Sequence, residues 1–343
     1  MIPVLVEVSG EAPPLAEAEA AAAAEALGGR RSADRGGPVP GLVAVEVPSQ
    51  GDPARLADRL GLARRCLVLL AAGDAIPATL REEGGGGRSA SVRRLGRPSS
   101  GGEDPSIRAA GRAYADGGGR IDLEHPERRF WLATGWDGID RLLLEVATVD
   151  RRATGARRMS ALPFRRPVGL APRYARAAAN LARLRPNDRV IDPFVGTGAL
   201  LGEAALLGAK VYGVDREAEM VRGALRNLSH LGLAAEALVV GDAGSVEVGD
   251  PREPFDAILT DPPYGRASST GGEGSAAVVE RVLPRWAARV RPGGRIVVIV
   301  PGPVSPPGPE WALVLAVPVR VHRSLTREFR VYERVSATTP RPA

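Results

Sequence analysis

An acid, two prolines and a tyrosine follow an apolar run in the C-terminal half of the chain. The tetrapeptide is Asp261-Pro262-Pro263-Tyr264, and it comes directly after residues 255–260. The Asp261 carboxylate and the Pro262 carbonyl can accept the two N–H hydrogens of a planar amino group, while the Tyr264 ring stacks on the base. These contacts draw the nitrogen lone pair out of conjugation and aim it at a methyl group. The tetrapeptide therefore predicts methylation of an exocyclic amine on a nucleobase, mainly by positioning.

Three more aspartates stand at the ends of successive predicted strands. Asp192 opens a loop with Gly196 and Gly198, Asp215 ends the next strand, and Asp242 follows the third. Ligands of open α/β sheets bind at the carboxyl ends of strands, and glycine lets the backbone approach them closely. The Asp192 carboxylate can bind an amine. The Asp215 carboxylate can accept hydrogen bonds from the hydroxyls of a ribose, and that of Asp242 can accept one from the amine of an adenine. Together they predict S-adenosylmethionine, which carries all three groups.

Other chemistries fit the sequence less well. The glycine loop lacks the G-x-G-x-x-G spacing of a dinucleotide site and the lysine of a phosphate loop, which disfavours a dehydrogenase. The single cysteine, Cys66, excludes an intrachain disulfide and a thiolate zinc site, and we expect a buried thiol and no metal. No apolar run approaches the roughly 20 residues of a membrane span, and no signal peptide precedes the first strand. We expect a cytoplasmic protein. The oligomeric state stays open, with a monomer as one option.

The charge points to a nucleic-acid partner. The formal net charge is +6, and Lys210 is the only lysine, so the cations are almost all arginine. Arginine binds phosphate in a bidentate manner and stacks on bases, although a GC-rich genome would also favour arginine over lysine. Arg93 and Arg94 belong to a candidate phosphate footprint, with a solvated loop as the equal alternative. Trp131 and Trp136 could stack on RNA, but packing is the favoured interpretation.

The order of predicted elements suggests several domains. Residues 1–74 alternate strands and helices, which predicts a small α+β, ferredoxin-like part. Residues 75–150 form a second α+β part, and an arginine-rich linker covers 151–168. From 169 to 337, strands alternate with crossover helices. That pattern predicts an α/β fold with a doubly wound, Rossmann-like sheet, mainly parallel with one antiparallel strand at an edge.

In this last part the pattern predicts seven strands and four helices. Strands are expected at 189–192, 210–214, 236–240, 256–260, 295–300, 311–319 and 328–335. Helices are expected at 172–184, 198–208, 216–231 and about 275–290, and a turn at 291–294.

Several stretches resemble a known family. Residues 167–335 resemble the class I amino-methyltransferases, and within them the archaeal tRNA guanine-10 N2-methyltransferase family, which has a THUMP domain before the catalytic one. The resemblance lies in DPFVGTG (192–198), DPPYG (261–265), RPVGLAPRYAR (166–176), NLAR (180–183) and HRSLTR (322–327). The stretch RIDLEHP (120–126) is similar to the centre of THUMP domains. Val195 departs from the family, which often has cysteine there.

The resemblance implies roles for individual residues. The cofactor would be held by Asp192, Phe194, Gly196, Thr197, Gly198, Asp215 and Asp242. The guanine amine would be held by Asp261, Pro262 and Tyr264. RNA contacts are expected from Arg93, Arg94, Arg173, His322 and Arg323, although a structural role for His322 and Arg323 is equally favoured.

The function predicted in this way is S-adenosylmethionine-dependent methylation of the N2 amine of a guanosine in tRNA, once or twice, at position 10. Two alternatives remain. One is another amino-methyltransferase that acts on rRNA guanine or on DNA adenine, and the THUMP-like segment disfavours DNA. The other is a non-catalytic RNA-binding protein with a relic methyltransferase fold, against which the four intact aspartates argue.

Overall fold

The computed structural model describes residues 1–32, 39–96, 104–166, 169–263, 275–322 and 325–335. These residues fall into two units. The N-terminal unit comprises Met1–Pro13, Leu27–Asp58 and Ala63–Val149, and the C-terminal unit comprises Pro14–Ala26, Arg59–Leu62 and the chain from Asp150 onward. One N-terminal helix therefore belongs to the C-terminal unit. The predicted domain boundaries stay predictions.

The strands, in chain order, are β1 (Ile2–Val8), β2 (Arg30–Arg31), β3 (Leu42–Val47), β4 (Ala63–Ala72), β5 (Ser89–Arg94), β6 (Arg120–Ile121), β7 (Arg128–Thr134), β8 (Asp140–Thr148), β9 (Arg189–Asp192), β10 (Lys210–Asp215), β11 (Ala237–Val240), β12 (Phe255–Thr260), β13 (Val290–Val300), β14 (Trp311–His322) and β15 (Leu325–Arg334). The helices are α1 (Pro13–Ala26), α2 (Asp52–Arg59), α3 (Ile76–Gly84), α4 (Pro105–Asp116), α5 (Arg151–Ala156), α6 (Pro172–Leu181), α7 (Ala199–Leu206), α8 (Ala218–His230) and α9 (Ser275–Ala287).

The N-terminal unit is built on one eight-stranded sheet with the order β2-β3-β1-β4-β8-β7-β5-β6. Strands from both predicted N-terminal parts pair in it, since β4 lies antiparallel to β8. Tyr114 of α4 and Phe130 of β7 pack together in the core, with ring centroids 5.5 Å apart. The thiol of Cys66 is fully buried, as expected. Helix α3 was not predicted.

The C-terminal unit contains a seven-stranded sheet with the order β11-β10-β9-β12-β13-β15-β14. Strands β11, β10, β9, β12 and β13 are mutually parallel, which confirms the predicted mainly parallel sheet. One detail of the prediction was wrong. The antiparallel strand is β15, which lies one position in from the edge, and the edge strand is β14. The reason is that β14 and β15 form a hairpin and the later strand inserts beside β13.

The chain reverses its direction of travel across this sheet between β9 and β12. From β9 it steps to β10 and β11, and it then returns to β12 and β13 on the other side. Because crossovers between parallel strands are right-handed, the two halves place their helices on opposite faces. A crevice opens at such a switch point, outside the carboxyl ends of the two strands.

A buried apolar core packs against these strands. Phe255 of β12 packs against Tyr212 of β10 and against Trp286 of α9, with ring centroids 5.3 and 6.3 Å away. The Trp286 indole N–H donates to the Ala243 carbonyl at 2.9 Å, which satisfies its polar atom. Strands buried on both faces are continuously apolar, and that is why these elements could be predicted closely.

The element ends differ from the prediction where backbone geometry intervenes. Helix α6 ends at Leu181 and not at 184, since Arg183 adopts a left-handed conformation with φ of 55°. The expected turn at 291–294 lies inside β13, where the register with β12 is irregular. Helix α5 interrupts the predicted linker, and the Asp150 carboxylate caps it by accepting the backbone N–H groups of Arg152 and Ala153.

Candidate active site

The crevice at the switch point brings two of the predicted acids onto neighbouring strands. Asp192 is the last residue of β9, and Asp261 follows β12 directly. The two strands are paired, with Ile258 opposite Ile191, so both side chains stand at the same edge of the sheet. The sequence placed each acid at a strand end, and the strand order makes them neighbours.

Asp192 is a buried carboxylate with only 1% of its surface exposed. Its Oδ1 accepts the Phe194 backbone N–H at 2.9 Å and the Thr260 hydroxyl at 2.8 Å. Burial raises the pKa of the Asp192 carboxyl to about 7, and the nearby charges of Asp261 and Asp215 contribute in the same direction. A cationic ligand here would therefore stabilise the ionised form.

The glycine loop after β9 needs glycine for two physical reasons. Gly196 and Gly198 have φ of 52° and 80°, in the left-handed region that side chains disfavour. A Cβ on Gly198 would also lie 3.1 Å from the Cβ of Ala224 on α8. The loop backbone is held in place by the Val195 N–H, which donates to the Val214 carbonyl of β10 at 2.9 Å. Val195, which stands where the family often has cysteine, is buried, so a side chain of the bulk of valine fits at this position.

Asp215 links the second strand end to the same loop. Its carboxylate accepts the Gly196 N–H at 2.8 Å and the Glu217 N–H at 3.0 Å. Burial raises the pKa of Asp215, although the backbone donors oppose the shift. A carboxylate has about four acceptor positions. Two hydrogen bonds to the backbone thus leave capacity for hydroxyl groups of a ligand.

Asp242 lies beyond β11 in a more open environment. Its Oδ1 accepts the Gly244 N–H at 2.7 Å, and the Arg281 guanidinium stands 3.7 Å from it. The Gly244 hydrogen bond, helped by the Arg281 charge, holds the pKa of Asp242 below its usual range. The backbone N–H of Gly241 donates to the Asp215 carbonyl at 2.9 Å, which ties this strand end to the previous one. Asp192, Asp215 and Asp242 therefore stand at or just beyond the ends of three adjacent strands.

The tetrapeptide is described up to its third residue. Asp261 accepts a hydrogen bond on Oδ2 from Nη1 of Arg327, at 3.1 Å, and Pro262 is buried beside it. Tyr264 lies outside the described residues, so its predicted stacking stays a prediction.

Phe194 and Thr197 occupy different environments in the glycine loop. Phe194 is partly buried and packs against the core of the C-terminal unit. Thr197 is buried, and its carbonyl accepts from the Asn227 amide at 3.0 Å.

Three residues of the site were missed by sequence reasoning. Thr260 orients Asp192, Arg327 contacts Asp261, and Asn227 of α8 bridges two segments. The Asn227 amide contacts the backbone N–H and carbonyl of Phe164 at 3.0 and 3.1 Å, as well as the Thr197 carbonyl. These hydrogen bonds join the segment that precedes α6, at Phe164, to the glycine loop, at Thr197. Buried polar residues within apolar elements were the available signal.

The residues predicted to bind RNA have varied surroundings. Arg93 is exposed and donates to the Leu123 carbonyl at 2.8 Å, whereas Arg94 is ion-paired with Asp104 and Asp140. The guanidinium of Arg173 lies 4.8 Å from the centroid of the Tyr174 ring. His322 ends β14, and its side chain, like the whole of Arg323, is outside the described residues. Their RNA contacts stay predictions.

The two tryptophans also differ in their surroundings. Trp131 is buried and lies under the Arg65 guanidinium, at 3.8 Å, as expected for packing. Trp136 is 74% exposed.

The described part of the chain shows neither a metal cluster nor a membrane helix. Within it, no group of three or more His, Cys, Asp and Glu side chains could hold a metal ion. None of its helices is both long enough and apolar enough to cross a bilayer.

Comparisons with known proteins agree with this geometry. Residues 161–306 match the RMKL-like methyltransferase domain family. A tRNA (guanine(10)-N2)-dimethyltransferase of Methanothermobacter thermautotrophicus is 34% identical over 231 residues, which span 64% of this chain and 65% of that protein. A protein of the same name from Pyrococcus abyssi is 34% identical over 275 residues, which span 77% of this chain and 79% of the relative.

A solved structure supports the fold independently. TrmN from Thermus thermophilus matches 97% of this chain and 100% of its own, with a TM-score of 0.51 and 23% identity. At that identity the likeness concerns the fold alone. The matched stretch spans less than two thirds of the Methanothermobacter protein but 79% of the Pyrococcus one. The chain therefore belongs to the tRNA (guanine(10)-N2)-dimethyltransferase family, as its motifs predicted.

Proposed function

We propose that this protein transfers methyl groups from S-adenosylmethionine to the N2 amine of the guanosine at position 10 of tRNA. The observation that carries the proposal is the meeting of Asp192 and Asp261 at the switch point of a methyltransferase sheet. One acid comes from the glycine loop and the other from the DPPY motif, so a methyl donor and an amine acceptor would face each other. The names of the relatives supply the nucleotide and its position.

The cofactor fits the groups that the strand ends present. Asp192 offers a buried anion for a cationic amino acid head, and Asp215 offers acceptor positions for ribose hydroxyls. Asp242 would accept the adenine amine, and the positive φ values of Gly196 and Gly198 keep the loop backbone open to close approach. Phe194 and Thr197 complete the loop. When bound, S-adenosylmethionine supplies an electrophilic methyl group on a sulfonium sulfur.

The protein's part in the reaction is to hold the amine. The Asp261 carboxylate and the Pro262 carbonyl accept hydrogen bonds from its two N–H groups. The nitrogen lone pair would then point at the methyl carbon. The lone pair would form the new N–C bond to a methyl carbon that the bound cofactor supplies, and the cofactor's sulfur would keep the electrons of the broken S–C bond. The nitrogen becomes positively charged and loses a proton to water or to a carboxylate. No strong base is needed, and catalysis by positioning suffices.

The proposal of a tRNA substrate rests on the family of the chain and on its positive charge. A flipped base must enter the crevice, so RNA contacts beyond it are required to hold the molecule. The arginine-rich composition and the predicted THUMP-like segment, residues 75–150, fit that role. A tRNA substrate also fits the cytoplasmic location that the sequence predicts.

The decisive experiment uses unmodified tRNA and labelled cofactor, followed by mass spectrometry of the nucleosides. We expect N2-methylguanosine and N2,N2-dimethylguanosine at position 10. A tRNA with inosine at that position, which lacks the N2 amine, should accept no label. Methylation of adenosine, or an unchanged signal from the inosine tRNA, would contradict the proposed target.

Variants separate catalysis from binding. Asp261→Asn should lose methyl transfer while retaining cofactor binding in calorimetry. Asp250→Asn, at a partly exposed position of the same unit, is the matched control and should behave as the wild-type protein in both assays. Absence of cofactor binding by the wild-type protein would instead favour the non-catalytic alternative.

A further inference from the structure

An arginine from the end of the chain reaches the candidate catalytic acid. Arg327 is the third residue of β15, and only 2% of its surface is exposed. Strand β15 runs against its neighbour β13, with Glu328 opposite Val300. Because it is antiparallel, its first residues lie where the parallel strands end. Strand β15 therefore places Arg327 at the crevice, and Nη1 of Arg327 lies 3.1 Å from Oδ2 of Asp261.

Asp261 stands in a region where negative charge accumulates. Asp192 at the end of β9 and Asp215 at the end of β10 interact electrostatically, and Asp261 adds to the effect on Asp192. Carboxylates that share a site disfavour one another's ionisation. Arg327 from β15 contacts Asp261, and the charge of Asp261 acts on Asp192 from β9. A guanidinium opposes the repulsion from both acids.

We propose that Arg327 is a positioning residue that keeps Asp261 ionised and fixes the plane of its carboxylate for the base amine. This inference rests on the proposed function, because it concerns the same amine. An ionised Asp261 accepts an N–H, whereas a protonated one would present a donor to the amine. The planar guanidinium restricts the carboxylate's orientation. Arg327 also makes Asp261 a weaker base, in keeping with catalysis by positioning.

The kinetic test compares Arg327→Met and Arg327→Lys between about pH 6 and about pH 9 at saturating tRNA and cofactor. The methionine variant should lower kcat on the order of 100-fold near neutral pH, as expected for a misplaced reacting group. Its activity should recover as the pH rises and Asp261 ionises. The lysine variant keeps the positive charge and should retain the wild-type pH profile with part of the activity. The KM for tRNA should change less than about threefold in both.

A matched control comes from the same strand. Arg330 is ion-paired with Glu328, at 3.0 Å, and not with Asp261. Arg330→Met should keep the wild-type pH profile. Thermal unfolding and cofactor calorimetry verify that each variant is folded. Should Arg327→Met not fold, Arg327→Gln, which keeps neutral donors, takes its place in the comparison.

A second measurement does not depend on activity. The carboxyl carbon of Asp261 can be followed by NMR titration of protein labelled at aspartate, with Asp261→Asn to assign the signal. We expect the titration midpoint to rise in Arg327→Met and to stay close to wild type in Arg327→Lys. An unchanged midpoint in Arg327→Met, or an equal loss of kcat at every pH with no rescue by lysine, would overturn the inference. A wild-type protein that methylates no tRNA would overturn the proposed function instead, while the NMR result would still decide the role of Arg327.

Discussion

Replacing Asp192 with asparagine should make the protein more stable and less able to bind its cofactor. The carboxyl is buried, and its Oδ1 accepts two hydrogen bonds, from Phe194 and Thr260. An asparagine carbonyl can accept both of these and carries no charge. The variant therefore removes the free-energy penalty of a buried anion while it keeps the local contacts.

The magnitude follows from the pKa of Asp192. Burial raises it from an ordinary value of 3.8 to about 7. At about 1.36 kcal/mol for each pH unit, full ionisation in the folded state costs about 4 kcal/mol. The folded protein binds the proton more tightly than the unfolded chain, so this group favours folding most below pH 3.8, and the benefit is lost as the pH rises to about 7. The advantage of Asp192→Asn should therefore grow by about 2–3 kcal/mol between about pH 5 and about pH 8.

Urea unfolding of both proteins at the two pH values measures this difference. Tryptophan fluorescence reports on the C-terminal unit through Trp286 and Trp311, which are buried in its core. Trp131 and Trp136 of the N-terminal unit contribute equally to the signal of both proteins. Glu19, another fully buried carboxyl of the C-terminal unit with a pKa raised to about 7 by burial, titrates in both proteins and cancels in the comparison. In the control, Asp250→Asn, the Arg252 side chain holds the pKa of the replaced carboxyl below its ordinary value, so this variant should show no gain at high pH. A stability difference that is the same at both pH values would refute the reasoning.

Three further predictions concern other parts of the molecule. Gly198→Ala should destabilise the protein by about 1–2 kcal/mol and weaken cofactor binding in calorimetry, because φ is 80° and the new Cβ meets Ala224. Cys66, whose pKa burial raises to about 12, should resist a thiol reagent in the native protein and react after denaturation. Glu203→Gln should lower the free energy of unfolding by about 3–5 kcal/mol in urea titrations, since it breaks a buried ion pair with Arg176 at 2.6 Å.

The elements that carry the site were predictable because their sequence signals are strong. The strands expected at 189–192 and 210–214 match β9 and β10 to within one residue. They are short apolar runs that end in an acid and are followed by glycine or a helix. The prediction was weaker where the signal is mixed. Helix α5 lies in an arginine run and depends on a single cap from Asp150. Strand β15 was expected to begin at 328, but it begins at Leu325 and so includes Arg327.

The amino-acid sequence alone determined the chemical groups of this protein and the strand end at which each would stand. Acids, glycines and the proline pair at fixed spacings predicted a methyl donor and an amine acceptor, since local patterns specify strands and loops. Only the tertiary structure decided which groups meet. Thr260 reaches Asp192 across 68 residues of chain, and Arg327 reaches Asp261 across 66. Strand order and the antiparallel insertion of β15 create these contacts, and burial in the assembled sheet shifts the pKa of Asp192. Neither effect exists before the sheet has formed.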